Sequence, residues 1–156
     1  MPKNPNSTNF AKGLVAQDFV QSHLEDLGFV LIRQNFQFYF SRKIGEIDLI
    51  MQKNNRIHLI EVKMRTVKNS KFGRIDEQIT KNKLLTLAKS WQFFILKNPE
   101  FRNHFCQFDA GFVWQKNIKK TSILQPKVEI KENLERNLDK ESLEIEIIFN
   151  AYQFDF

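Results

Sequence analysis

The sequence predicts an α/β fold in which one mixed sheet lies between helices. Two long segments, 9–27 and 76–96, repeat apolar residues at helical spacing. Shorter segments between and after them are β-branched, aromatic or alternating. Their order is helix, strand, hairpin, helix, strand, insertion, strand, a pattern that stacks helices on a sheet.

Each element has a local reason. In 9–27, Phe10, Leu14, Phe19, Val20, His23, Leu24 and Leu27 approximate one helical face. Ser7, Thr8 or Asn9 can cap its start, and Gly28 suits the left-handed residue that ends a helix. Phe29 to Gln34 reads as a strand, which Phe36 to Phe40 prolongs or follows as a second short one. Ile44–Met51 and Arg56–Met64 read as a hairpin around Asn54-Asn55, because Asn tolerates the positive φ of both central positions of a type I′ turn. A polar, basic loop at 66–74 leads into the second helix. There Leu84, Leu85, Leu87, Ala88, Trp91, Phe94 and Ile95 form the apolar stripe, and Asn98-Pro99 stops it. Phe105 to Gln115 and Leu143 to Asn150 are the remaining strands. Residues 117–143 differ in character, with alternating charge, Pro126 and a weak helical set in Ile130, Leu134 and Leu138. They read as an insertion bearing a short solvated helix.

A chain of 156 residues is expected to form one domain, 1–156, with 1–8 as a flexible N-terminus. One cysteine, Cys106, excludes an internal disulfide and the Cys-rich zinc sites, and its Phe105 and Phe108 neighbours suggest a buried small hydrophobe. The first residues are polar, and no run reaches the ~18–20 apolar residues of a membrane span. The cytoplasm is the expected location, with no membrane partner. Formal net charge is +6, with the positive excess lying before residue 116 and densest from Lys63 to Lys83. Such a field suits a polyanion, though a solubilising surface has the same composition.

The hairpin concentrates the chemistry. A turn at Asn54-Asn55 sets Asp48 opposite Glu61 and Glu46 opposite Lys63, all on one sheet face, with Ile47, Leu49, Ile60 and Val62 on the other. Opposed carboxylates with Cβ atoms about 4.5–5.5 Å apart repel one another. They need a proton, a cation or solvent. A hard divalent ion, Mg²⁺ or Mn²⁺, answers that need with Asp48 and Glu61 as ligands. A solvated face neutralised by Lys63 and Arg65 answers it as well. His58 falls on the apolar hairpin face and reads as a core or edge histidine. Asp109, in the centre of an apolar strand, either buttresses the site or accepts hydrogen bonds from a neighbouring loop. The glycines form no phosphate-binding loop.

An Asp followed at hairpin spacing by Glu-x-Lys resembles the PD-(D/E)xK nuclease superfamily. Within it the chain resembles the YraN family, through Gly45-Glu46-Ile47-Asp48-Leu49-Ile50, Ile60-Glu61-Val62-Lys63 with Arg65, Phe72-Gly73, Lys81 and Lys83 at a helix start, Phe108-Asp109, and Asn150-Ala151. The resemblance implies a restriction-endonuclease-like αβββαβ core, a mixed sheet flanked by helices with a short helical insertion before the last strand. It also implies metal-dependent phosphodiester chemistry with Asp48, Glu61 and Lys63 as catalytic residues. Where the family carries a Glu in the first helix, this chain aligns Gln17, a neutral ligand. Glu46 is the other candidate to complete the metal set. Arg65, Lys68, Lys71, Lys81 and Lys83 are candidate phosphate contacts. The leading expectation is a metal-dependent endonuclease on DNA, favoured over RNA, with branched or damaged structures among its substrates. The second is a non-catalytic nucleic-acid-binding module on the same scaffold, which Gln17 motivates. A third is a protein-interaction domain using 117–143. The sequence leaves oligomeric state open and admits a homodimer.

Overall fold

The computed structural model describes residues 8–65, 81–115 and 143–152. Along the chain these form α1 (Thr8–Asp26), β1 (Val30–Phe40), β2 (Arg42–Lys53), β3 (Arg56–Arg65), α2 (Lys81–Lys97), β4 (Phe105–Gln115) and β5 (Leu143–Tyr152). A short 3₁₀ turn, Pro99–Phe101, follows α2. The strands make one five-stranded sheet in chain order. β1, β2 and β3 are antiparallel neighbours, β3 and β4 are parallel, and β4 and β5 are antiparallel. This is a mixed sheet with two helices, the α/β class that the segment order predicts.

Local chemistry fixes the boundaries. Gly28 takes φ +85, and its N–H donates to the Glu25 carbonyl while that of Phe29 donates to the Leu24 carbonyl. These two bonds are a Schellman cap. At the end of α2 both the backbone N–H and the side-chain amide of Asn98 donate to the Phe94 carbonyl, and Pro99 cannot continue the helix. The β2–β3 pairing runs from Lys53↔Arg56 to Leu49↔Ile60, as a two-residue loop at Asn54-Asn55 requires. Only Asn54 has positive φ, however, at 55°. The turn therefore has the φ signs of type II′ and not of type I′. Both turns hold two residues, so the register is the same.

The sheet is covered on both faces. Leu49, Met51, Ile60 and Val62 join Ala16, Val20 and Leu24 of α1 in one core. Ile47, Ile50, Ile57 and Leu59 join Leu87 and Phe94 of α2 in another. The expected division into one apolar and one charged hairpin face is thus corrected. An undistorted strand would put Ile47 and Leu49 on the same side, but they serve opposite cores. β2 changes phase at Asp48. On β1 the pairing passes from Gln34↔Leu49 to Phe36↔Ile47, and the intervening Asn35 has φ 51. The left-handed residue and the phase change lie side by side.

Two stripes also differ from expectation. Leu85 is exposed on α2, and Phe10 and Leu14 on α1 and Leu27 just past its end are over a third exposed. Ala16 supplies core contact instead. β1 is one strand through Phe40, with register shifts near Ile32 and at Phe38/Tyr39. Helical residues expected at 76–80 and the insertion up to residue 142 lie outside the described residues. Among the described residues, no helix is long and apolar enough to cross a membrane.

Candidate functional site

Gly45 shows how tightly β2 is held beside the site. A Cβ there would lie 2.5 Å from the Phe38 ring, 2.7 Å from the Thr86 methyl and 3.0 Å from the Ser90 hydroxyl of α2. Only glycine lets this strand approach that helix. Three residues on, Asp48 lies where the β2–β3 ladder has ended. Its Oδ2 accepts the Val62 N–H at 2.7 Å. A side chain thus occupies the place of a ladder carbonyl, and the two strands part around it.

Asp48 and Glu61 line one cavity of about 480 Å³ together with Gln17, Glu46, Lys63 and Lys83. Part of α1, from Phe10 to Gln17, closes one side. Glu61 is buried, and its two oxygens are held by different ammonium groups, Oε1 by Lys63 at 2.6 Å and Oε2 by Lys83 at 3.0 Å. Burial pushes the Asp48 carboxyl up from 3.8 to about 6. The negative charge of Glu61 pushes the same way, while the Val62 N–H, Lys63 and Lys83 oppose it. Asp48 and Glu61 lie close enough for the charge of one to act on the other, although the ladder ends one pair short of them, at Leu49↔Ile60.

Gln17 is buried in the same cavity wall, and its Oε1 has no hydrogen-bond partner. A buried acceptor left unpaired costs about 1–3 kcal/mol. A hard cation removes that cost, and two carboxylates with an amide oxygen are the oxygen donors such an ion takes. The residues present fit Mg²⁺ or Mn²⁺. Among the described residues there is no cluster of three or more His, Cys, Asp or Glu suited to a metal. Gln17 is an amide and is not one of these four residue types.

Other expected residues are placed as follows. Lys63 is bound to Glu61 and not to Glu46, whose carboxylate takes Lys43. Lys83, expected to face phosphate, is the second partner of Glu61. Arg65 ends β3 opposite Trp114. Lys81 opens α2. Lys68, Lys71 and Phe72-Gly73 lie outside the described residues. Asp18, next to Gln17 in α1 and not among the expected ligands, is exposed and accepts a bond from Gln34. Cys106 packs against the α2-side core, and burial with the charge of Asp109 pushes its thiol above the usual range. His58 is a core histidine, with Nδ1 2.5 Å from Oδ2 of Asp109. The Oδ1 of Asp109 accepts the Gln107 amide and the Asn150 N–H, each at 2.7 Å. Asp109 thus serves the far end of the α1 face and does not line the acidic cavity.

Sequence reasoning missed the Val62 N–H and the role of Lys83. Nothing in a one-dimensional spacing marks a backbone donor. Lys83 becomes visible only when α2 is docked on the sheet and its ammonium reaches Glu61.

A model of the uncharacterised protein family UPF0102 matches residues 16–113. A UPF0102 protein of Neisseria gonorrhoeae is 32% identical over 117 residues, covering 70% of this chain and 96% of the relative. One from Acinetobacter baumannii is 28% identical over 147 residues, 91% of this chain and 99% of the relative. A third, from Neisseria meningitidis, is 31% identical over 117 residues, 70% of this chain and 96% of the relative. The matched segment carries Gln17, Asp48, Glu61, Lys63 and Lys83. The chain belongs to UPF0102, the family to which the YraN resemblance points.

Proposed function

We propose that this protein is a divalent-metal-dependent phosphodiesterase with a restriction-endonuclease-like core, cutting DNA, branched or damaged structures included. The observation that carries the reading is that Asp48, Glu61 and Lys63 line one cavity together with Gln17, whose buried Oε1 has no hydrogen-bond partner. Asp48, Glu61 and Gln17 would hold Mg²⁺ or Mn²⁺. When bound, such an ion neutralises phosphate charge and acidifies a water.

The chain's own groups supply the rest. The Val62 N–H fixes the Asp48 carboxylate through Oδ2. Lys63 is half exposed, so its ammonium can leave Glu61 for a phosphate oxygen and stabilise charge that develops in the transition state. Lys83 stays paired with the other Glu61 oxygen during that exchange. Phe10 and Leu14 form an apolar flank of the cavity that limits water around the reacting group. The net charge of +6 draws in the polyanion.

Nicked, branched and single-stranded DNA incubated with the protein and Mg²⁺ or Mn²⁺ tests this. Cleavage that stops with a chelator and with Lys63→Ala supports it. No cleavage of any substrate, or equal cleavage by Lys63→Ala, sinks it.

A second reading has its own support. Both oxygens of Glu61 already have ammonium partners, so the cavity has an internal answer to part of its charge. A module that binds nucleic acid without cutting it needs nothing more. It predicts salt-sensitive DNA binding that survives Asp48→Asn without added metal.

A further inference from the structure

A second cavity, of about 520 Å³, opens at the hairpin-turn end of the sheet and shares no lining residue with the acidic one. Along β3, Arg56 and Glu61 are separated by about 16 Å of extended chain. The cavity wall is aromatic. Phe29 and Phe149 are stacked at 5.9 Å, and Phe105 is 67% exposed. Phe29 is buried, whereas Phe149 and Phe105 expose apolar ring surface around the concavity, the kind of surface that marks an interaction site.

The polar groups are set by a buried chain of hydrogen bonds. Asp109, fully buried, holds Nδ1 of His58 and the amide of Gln107, and Gln107 in turn accepts a bond from Arg56. Against a carboxylate, Nδ1 is the N–H donor, which leaves Nε2 for another partner. His58 is only 6% exposed, lines the cavity, and makes no hydrogen bond through Nε2 with the described residues. Lys53 stands at the rim, its ammonium 4.9 Å from the Phe29 ring centre and bonded to the Leu27 carbonyl. Two cations at the mouth, aromatic walls and one preorganised ring nitrogen describe the complement of a flat heterocycle that carries an anion.

We propose that this cavity binds one nucleotide unit, its phosphate at Arg56 and Lys53, its base against Phe105 and Phe149, and the base edge on His58 Nε2. Stacking on aromatic rings beside a basic rim is how sequence-tolerant nucleotide sites work. The volume falls in the range of small-ligand pockets. A free nucleotide and one unit of a single strand offer the same chemistry. The site stands independently of hydrolysis at Asp48.

Calorimetric titration of the full chain with 5′-AMP, adenosine, inorganic phosphate and a single-stranded dA hexamer tests it. The expected result is saturable binding of 5′-AMP, weaker binding of adenosine and of phosphate alone, and about tenfold weaker binding after Phe105→Ala or Arg56→Ala. Both side chains are exposed, so neither change opens the core. A shift of the His58 ring proton signal on titration locates the ligand. Asp48→Asn leaves 5′-AMP binding unchanged, which separates this site from the acidic one. A hexamer that binds more tightly than 5′-AMP and displaces it identifies a strand subsite, and the reverse order identifies a free-nucleotide site. The proposal is overturned by no saturable binding of either ligand, by binding indifferent to both variants, or by binding that Asp48→Asn abolishes. It is equally overturned if Phe105→Ala changes only self-association of the chain.

Discussion

The Val62 N–H donates to Asp48 Oδ2 at 2.7 Å, one step beyond the last β2–β3 pair, Leu49↔Ile60. This bond does two things. It closes the parted strands with a side chain, and it fixes a carboxylate that burial and Glu61 both discourage from ionising. Asp48→Asn can keep the first function, since an amide oxygen also accepts the N–H. The variant should therefore fold, and without metal at neutral pH melt above wild type, while DNA cleavage falls by about a hundredfold or more. Melting curves and cleavage rates measured side by side check this.

The raised Asp48 carboxyl gives a pH dependence with a definite sign. Its folded value, about 6, lies above the ordinary 3.8, so the native state holds the proton more tightly than the unfolded chain. The stability it contributes is complete below about 3.8 and is lost as pH rises through about 6. The loss is on the order of 3 kcal/mol. Denaturation of metal-free protein across that window should show this decline, and Asp48→Asn should remove it. Mn²⁺ needs the ionised carboxylate, so its stabilising effect should grow as pH rises through the same value.

Gln17→Glu places a third carboxylate beside Asp48 and Glu61. Without metal it should lower stability, because like charges repel at a buried site. With Mn²⁺ it should tighten binding by about tenfold or more. Calorimetric titration and a metal-free melt together check both signs. No metal-free penalty and no tighter binding would mean that the side chain at position 17 does not face the two acids.

The two lysines on Glu61 should separate by function. Lys63→Ala should lower cleavage by about a hundredfold or more while Mn²⁺ still binds. Lys83→Ala should act mainly through Asp48, whose carboxyl loses a cation that lowers it and should titrate at higher pH. The pH profile of cleavage reads the difference.

Gly45→Ala should cost about 1–3 kcal/mol through overpacking against Phe38, Thr86 and Ser90. Chemical denaturation measures it. Thr86→Ser removes the methyl that the new Cβ would meet and should recover part of the loss.

Much of this was legible in the sequence wherever one residue's chemistry decided the geometry. Gly28 ends α1 as a glycine should, and a two-residue loop at Asn54-Asn55 fixes the register that brings Asp48 towards Glu61. What was not legible depends on partners distant in sequence. Alternation suggested one apolar face from Ile47, Leu49, Ile60 and Val62, yet Ile50, Ile57 and Leu59 are just as buried under α2. The phase change at Asp48 accompanies a left-handed Asn35 on the neighbouring strand, which no period in β2 reveals. Asp109 stood out as an acid in an apolar strand, but its meaning needed the parallel pairing of β3 with β4. That pairing puts His58 beside Gln107 and Ile60 beside Asp109.

Crystals of the wild-type protein grown with Mn²⁺ and measured at the manganese absorption edge test the central claim most directly. An anomalous peak within ligand distance of Asp48, Glu61 and the Gln17 side-chain oxygen, with Lys63 released from Glu61, is the predicted result. No peak there, with Glu61 still held by Lys63 and Lys83, would contradict it.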